Sequence, residues 1–571
     1  MKNNLIILPL ILLAVFIVHT KSPVSTSWDS RWSIPTAVSM IKEGNVNLDE
    51  FIDKNKPISK MKGSWTLIKA KGHYYTIFPL GTAIAALPIV YVINHFWAFD
   101  PIKDGPDVER IVASFLVALT ALFIYLIAKK FTTVLQSLLI SFIFSFCTSS
   151  WSIASRALWQ YAPSMLMLAV TIYLFLLAKK KSYLIQFTGL TLAFSYLSRP
   201  LNVVSVIVLS FFVFFYYRRY FLYYLFWLLV VLTPFFLHNL ATYNSLLPAY
   251  FVRRTVSINT GVFERLLGNL ISPSRGFFVF SPVFLFSLWG IFLKIKNKQL
   301  ENFDLFLAVI IFLHWIAMSI IPYWCGAMSF GQRYFCDVIP YFVYFLIPAV
   351  LFVFQVKDRF KKLITYIFLF FILMSFFIHF RGANALATWA WNLQPFDVKH
   401  NQRRAWNFRD IQFLRGLNIN AYFKSYRDFW FNHLEDFQLG EKITIAGNAK
   451  KICFDDGWSY SEKTHIWSVY NPATILFKLG DKENDVKKCR LFITACVLAD
   501  QEIEIFINKT FIGKLKFCKF MKTESIEFNS EVLRFNKINI IAFKVPLILE
   551  PQNEDLRFLG ICLSDITINK E

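Results

Sequence analysis

What the chain lacks narrows its class first. Its eight cysteines contain no CxxC pair and no metal-ligand spacing, which excludes a cysteine-held zinc or iron–sulfur site. Acid is scarce: 37 Asp and Glu stand against 60 Lys and Arg, a net charge of +23. No RNA- or DNA-binding motif accompanies that charge, so no nucleic-acid partner is expected. Most basic residues lie between apolar segments, where topology and anionic membrane lipid account for them.

What is abundant is apolar. Hydrophobic residues make up 56% of the chain and aromatics 18%, with a mean hydropathy of +0.47, more than a soluble globular protein needs. Many stretches approach the ~20 residues that cross a bilayer. The expected class is a polytopic α-helical membrane protein.

Met1-Lys2 followed by apolar residues to Val18 resembles a signal peptide, but Val18-His19-Thr20 fits the cleavage pattern poorly and more apolar segments follow. A retained first helix with a cytoplasmic N-terminus is expected. Further apolar segments run at 76–96, 109–128, 132–150, 160–178, 183–197, 200–217, 220–238, 276–293, 303–321, 337–354 and 363–380. The positive-inside rule places Lys129-Lys130, Lys179-Lys180-Lys181, Arg218-Arg219, Lys294/Lys296/Lys298 and Lys357/Arg359/Lys361/Lys362 in the cytoplasm. The outer side then receives 21–72, 149–160, the Ser198-Arg199-Pro200 turn, loops 239–275 and 322–336, and everything after His379. Segment 76–96 breaks this parity. Pro79, Gly81 and Pro88 interrupt it, so it reads as re-entrant or interfacial, leaving about eleven full spans within a range of about 11–13.

Two outer loops carry chemistry. Thr26-Ser27-Trp28-Asp29-Ser30-Arg31-Trp32 sets a carboxylate and a guanidinium between tryptophans at the membrane surface. A charge near hydrocarbon is costly and usually has a task; the plainer account makes the tryptophans interface anchors and the charges solvated neighbours. Loop 239–275 holds Arg253, Arg254, Arg265 and Arg275 against one acid, Glu264. Such arginines suit an anionic ligand such as a phosphate, and lipid headgroups explain them equally well.

Residues 381–440 mix Trp389, Trp391, Trp406 and Phe408 with Arg381, Arg403, Arg404 and Arg409, which reads as an interfacial helical connector. From 441 the runs Ile475–Leu479, Leu491–Val497, Glu502–Ile507, Lys516–Phe520, Ile538–Phe543 and Cys562–Ile568 alternate with turn residues. They predict an antiparallel β-sandwich over 441–571, outside the membrane. Asn508-Lys509-Thr510 reads as a hairpin tip and also fits the N-glycosylation pattern. Five cysteines fall in this region, an odd number that cannot all pair within it. Cys489 and Cys496 would face opposite ways on one strand, so buried small apolar residues are the expectation.

With these stretches assembled, residues 1–420 resemble the GT-C class of membrane glycosyltransferases, including protein O-mannosyltransferases and the bacterial enzymes that put aminoarabinose on lipid A. The motifs that carry the resemblance are Trp28-Asp29-Ser30-Arg31-Trp32-Ser33-Ile34-Pro35 and Gly72-His73-Tyr74-Tyr75 with Phe78-Pro79-Leu80-Gly81. Ser155-Arg156-Ala157-Leu158-Trp159-Gln160, Ser198-Arg199-Pro200, Ser272-Pro273-Ser274-Arg275-Gly276, and Phe330-Gly331-Gln332-Arg333-Tyr334 with Asp337 complete the set. These match a bacterial, uncharacterised subset of the class. The tail around Asp456-Gly457-Trp458-Ser459, Glu462 and Trp467 looks like carbohydrate-binding sandwiches appended to such proteins. The paired Asp-Glu of the mannosyltransferases has no copy beside Asp29; Asp49-Glu50 comes about twenty residues later.

The resemblance implies a polyprenyl-phosphate-linked sugar donor and a protein, lipid or cell-surface glycan acceptor, at the outer face of the cytoplasmic (inner) membrane. Asp29 would be the base for the acceptor hydroxyl, or hold a divalent metal, the weaker case for a single carboxylate. Arg275 and Arg333 would neutralise the donor phosphate, with Arg156 and Arg199 as further phosphate ligands or as helix-end contacts. Gly276 and Gly331 would let backbone approach a ligand. Arg31, His73, Tyr74, Asp49 and Glu50 would line the acceptor path, and His314 reads as a satisfied interior histidine. Two rival readings remain: a flippase for polyprenyl-linked glycans, and a non-catalytic glycan-binding membrane protein.

Overall fold

The computed structural model describes every residue but 1, 27–28, 53–63, 248, 253–260, 356–358, 394–397, 400–401, 418–433, 446–450, 455–457, 459–463, 469–471, 481–485 and 550–558. Expectations placed on Trp28, Arg253, Arg254, Asp456, Gly457, Ser459 and Glu462 lie outside the described residues. The chain forms two compact units, Met1–Ala385 and Leu386–Glu571.

The first unit is helical: α1 (Lys2–Lys21), α2 (Ser33–Lys42), α3 (Gly81–Phe96), α4 (Gly105–Ala128), α5 (Val134–Phe146), α6 (Tyr161–Ala178), α7 (Thr188–Ser198), α8 (Val203–Tyr216), α9 (Phe221–Tyr243), α10 (Ala249–Val252), α11 (Val262–Ile271), α12 (Phe277–Phe280), α13 (Leu285–Lys296), α14 (Asn302–Ser319), α15 (Ile339–Phe354) and α16 (Arg359–Asn384). A hairpin, β1 (Leu67–Ala70) with β2 (His73–Thr76), lies between α2 and α3. Helix α4 packs against α1, α5 and α6; α7 bridges α6 and α9; α13 packs on α15.

Among the described residues, six helices are long and apolar enough to cross a membrane: Gly105–Ala128, Tyr161–Ala178, Arg218–Tyr243, Asn302–Ser319, Arg333–Phe354 and Lys362–Asn384. Four shorter apolar helices accompany them: Ile6–Lys21, Gly81–Phe96, Val134–Phe146 and Pro200–Tyr216. The chain is thus a polytopic helical membrane protein, with fewer long helices than its apolar segments suggested, because several segments are broken. Hydroxyls end α5: Thr148 Oγ1 donates to the Phe144 carbonyl at 2.6 Å, competing with the helix ladder. A π turn over Ser150–Ala154 follows. Pro282, with no amide hydrogen, separates α12 from α13. Segment 183–197 opens as a 3₁₀ turn, Ser182–Phe187. Segment 76–96 yields only the 16-residue α3, which contains Pro88.

The second unit opens with α17 (Leu386–Ala390) and the 3₁₀ turns Gln402–Trp406 and Gln412–Leu414. A buried ion pair organises these turns: Arg404 Nη2 lies 2.7 Å from Asp410 Oδ2. The Arg404 guanidinium covers the Trp391 ring at 4.2 Å. The strands follow: β3 (Asp436–Phe437), β4 (Lys442–Thr444), β5 (Ile452–Phe454), β6 (Ile466–Trp467), β7 (Ala473–Leu479), β8 (Lys488–Val497), β9 (Gln501–Ile507), β10 (Thr510–Phe517), β11 (Lys522–Asn529), β12 (Ile538–Lys544) and β13 (Ile561–Lys570). One sheet runs β10-β9-β12-β7-β3 with β5 also on β7; the other runs β11-β8-β13-β4 with β6 on β13. Alternate residues of both, among them Leu491, Ile493, Ile505, Phe543 and Ile566, close one apolar core, as the period of two requires.

Asn508 (φ 51°) and Lys509 (φ 74°) are both left-handed, the pattern of a type I′ hairpin turn. The Asn508 side-chain amide donates at 2.8 Å to both Val532 O and Asn539 Oδ1. The strand expected at Lys516–Phe520 starts earlier and ends at Phe517, and β11 carried no apolar alternation to announce it. Cys489 belongs to the core and Cys496 does not; among the described residues no cysteine is in a disulfide.

Candidate functional site

A small cleft in the helical unit gathers Asp29, Arg199 and Arg333 with Trp159, Tyr161 and Tyr334. Asp29 sits on a tight turn in which Ser33 N donates to Ser30 O at 2.7 Å, just before α2. Two anchors hold that turn. Trp32 is 1% exposed and packs with Leu48 and Leu67. The Ser30 hydroxyl donates to the carboxylate of Glu109, a fully buried residue of α4 that also accepts from Leu158 N at 3.1 Å. Glu109 therefore joins the Asp29 turn to the strand of chain leading into Trp159. In the sequence Glu109 stands close behind Asp100, Asp104 and Asp107, with nothing to separate it from them.

Arg333 opens a 3₁₀ turn, Arg333–Val338, capped by the Gln332 side chain, which accepts from Tyr334 N at 3.3 Å. Its Nη1 lies 3.2 Å from Asp29 Oδ2. The guanidinium lies 4.8 Å from the Trp159 ring centre and 5.3 Å from that of Tyr334; such stacking orients the planar group. Its Nε has no hydrogen-bond partner. Asp29 remains 40% exposed at its side chain while Arg333 is 13% exposed.

Arg199 also lines the cleft but is committed: it forms a buried ion pair with Asp337 and stacks on Tyr161 at 4.5 Å. Asp337 accepts from Ser164 Oγ at 2.6 Å, and Ser164 Oγ in turn accepts from Asn202 Nδ2 at 2.7 Å.

The other arginines go elsewhere. Arg156 is fully buried and donates to Ser22 O at 2.7 Å and to His19 O, so it caps the end of α1. Arg275 is fully buried too, donating to Cys325 O at 2.6 Å, Ser274 O at 2.8 Å and Ala327 O at 3.2 Å. Neither lines the cleft. Arg275 thus holds the loop ahead of Arg333 rather than sharing a surface with it. Arg31 is buried and likewise does not line the cleft.

Asp49, His73 and Tyr74, expected along an acceptor path, form a separate knot. Asp49 Oδ2 lies 2.5 Å from His73 Nδ1 and Asp49 Oδ1 accepts from Tyr74 N at 2.8 Å, which pins the β1–β2 hairpin. Glu50 is exposed in the adjoining 3₁₀ turn. The glycines serve the chain itself: a Cβ on Gly276 would meet Ser272 N at 2.6 Å, and one on Gly331 (φ +57°) would meet Phe280 at 2.5 Å. His314 Nε2 lies 2.8 Å from Tyr334 O, a satisfied interior histidine. Among the described residues no group of three or more His, Cys, Asp or Glu could hold a metal. One carboxylate facing a guanidinium is a poor cation site.

No family model matches the chain, and no curated protein matches it. Among solved structures it is similar to ArnT from Cupriavidus metallidurans bound to undecaprenyl phosphate, with 12% identity and a TM-score of 0.42, over 69% of this chain and 65% of that one. It is also similar to the arabinosyltransferase EmbB from Mycobacterium smegmatis, with 10% identity and a TM-score of 0.25, over 98% of this chain and 64% of that one. The chain spans just under two thirds of the length of each.

Proposed function

We propose that this protein transfers a sugar from a polyprenyl-phosphate-linked donor to a hydroxyl-bearing protein, lipid or glycan acceptor, at the outer face of the cytoplasmic membrane. The observation that carries this reading is the Asp29–Arg333 pair in an aromatic-walled cleft of a helical membrane unit. Two features support the reading: a half-exposed carboxylate can take a proton, and a guanidinium stacked on Trp159 beside it can meet a phosphate. In the transfer, the acceptor oxygen attacks the anomeric carbon while Asp29 removes its proton. The bond from that carbon to the phosphate oxygen breaks, and the phosphate leaves with the electron pair. Arg333 exchanges Asp29 for the phosphate, which frees the base and stabilises the leaving charge in one movement. Attack from the side opposite the phosphate inverts the anomeric centre.

Asp29→Asn tests this. The amide keeps the size and hydrogen bonding of the side chain but cannot take the proton, so turnover per folded enzyme is expected to fall about 10²–10⁴-fold. Near-normal turnover by this variant removes Asp29 from the mechanism.

A further inference from the structure

The cleft holds two polar groups that the transfer chemistry does not use. Gln160 and Thr82 both line it, and neither the buried side-chain Nε2 of Gln160 nor the buried hydroxyl of Thr82 has a hydrogen-bond partner. Gln160 is 8% exposed and Thr82 is 3% exposed. Buried polar groups are normally paired, so two unpaired ones lining the same cleft mark where a ligand's polar atoms belong. Both positions are set by the backbone. Gln160 precedes the first residue of α6 and follows Trp159, whose ring lies 5.7 Å from that of Tyr161. Thr82 follows Gly81, where a Cβ would stand 2.4 Å from Ser198 N, so the start of α3 rests directly on the end of α7 beside Arg199.

We propose that Gln160 and Thr82 read the hydroxyl groups of the donor sugar, and that this sugar carries no amine. The inference rests on the donor-lipid reading given above. Gln160 Nε2 and the guanidinium groups of Arg199 and Arg333 are donors, so this part of the cleft asks for acceptor oxygens. A sugar hydroxyl accepts from Gln160 and exchanges a hydrogen bond with Thr82. An ammonium group has no lone pair to offer and would face donors. Among the described residues the one carboxylate lining the cleft is Asp29, which the transfer reserves for the proton of the acceptor hydroxyl. The rings of Trp159, Phe78 and Tyr250, also in the cleft wall, supply the apolar surface for the sugar's C–H faces.

The test measures binding to the full chain in lipid nanodiscs with three kinds of probe: bare undecaprenyl phosphate, undecaprenyl phosphate carrying glucose or mannose, and undecaprenyl phosphate carrying an amino-deoxy pentose. The wild type is expected to bind a neutral glycosyl lipid about tenfold tighter than the bare lipid, the scale of one or two hydrogen bonds. Gln160→Leu and Thr82→Val should each remove most of that gain and leave the bare lipid unchanged. The amine-bearing lipid should gain nothing over the bare one. Equal weakening of bare and glycosyl lipids by the variants, no gain from either neutral sugar, or a gain from the amine overturns the inference. Arg333→Ala separates it from the underlying reading: if bare undecaprenyl phosphate binds that variant as well as it binds wild type, the phosphate assignment fails. The sugar assignment is still judged by the Gln160 and Thr82 variants. If wild type binds none of the lipids, both fail.

Discussion

An arginine's surroundings decide what it is for. Arg333 faces Asp29 across a cleft and keeps an unpaired Nε, whereas Arg275 has its guanidinium on three backbone carbonyls. Lysine in place of Arg333 keeps the charge but loses the planar stacking on Trp159 and the two-pronged geometry, so Arg333→Lys should lower transfer per folded enzyme about tenfold. Arg275→Lys should instead lower the amount of folded protein, with turnover per folded molecule nearly unchanged. The double variant should show both losses together, since the two residues support different properties. Measuring folded yield and turnover separately for the three variants checks this. A turnover loss in Arg275→Lys equal to that in Arg333→Lys would return both arginines to one phosphate.

At the scale of elements, the Asp29 turn depends on how α1 ends. Arg156 donates to the carbonyls of His19 and Ser22, Trp151 Nε1 donates to Ser22 Oγ at 2.9 Å, and the His19 and Trp151 rings stack at 5.9 Å. This clamp sits a few residues ahead of Asp29. Removing Arg156 leaves buried carbonyls unpaired, at a cost of about 1–3 kcal/mol for each. Arg156→Ala should therefore lower the thermal midpoint and reduce turnover through misplacement of Asp29, without changing which sugar is transferred. An Arg156→Ala protein of wild-type stability would show that the clamp is idle. In the β unit, Asn508 combines a left-handed turn with a half-buried amide that donates to two oxygens. Asn508→Ala should cost about 1–3 kcal/mol, seen as a lower denaturation midpoint of the tail. The same two hydrogen bonds occupy the amide nitrogen, so expression in a glycosylating host should leave Asn508 without a glycan by mass.

At the scale of the whole molecule, the basic turns between apolar helices orient the chain. Lys129-Lys130, Lys179-Lys180-Lys181 and Arg218-Arg219 all follow or precede helices of the first unit. If they are cytoplasmic, the last helix, α16, runs outward and delivers the second unit outside. A reporter enzyme active only in the periplasm, fused after Glu571, should then be active. Activity only from a cytoplasmic reporter at that site would reverse the assignment of faces and place the Asp29 cleft on the wrong side for a lipid-linked donor.

Apolar runs and period-two alternation are local properties, and they determined that this chain is a helical membrane protein ending in a β-sandwich. The β7, β8, β9, β12 and β13 strands and the Asn508 turn were legible for the same reason. Breaks inside apolar segments were less so, because hydroxyl-to-carbonyl competition at Thr148 and the 3₁₀ entry to α7 leave no mark on hydropathy. Asp29 stood out as an acid at a membrane surface. Which arginine it would meet did not. Arg156, Arg199, Arg275 and Arg333 all occur in similar polar turns, and Arg333 lies 304 residues from Asp29. Only the packing of distant helices decides which backbone carbonyls and carboxylates come within hydrogen-bonding range of each guanidinium, and therefore which one is left facing Asp29. The same holds for Glu109, Gln160 and Thr82. A buried carboxylate with partners and a buried amide without one look alike in a sequence, because the difference lies entirely in what surrounds them.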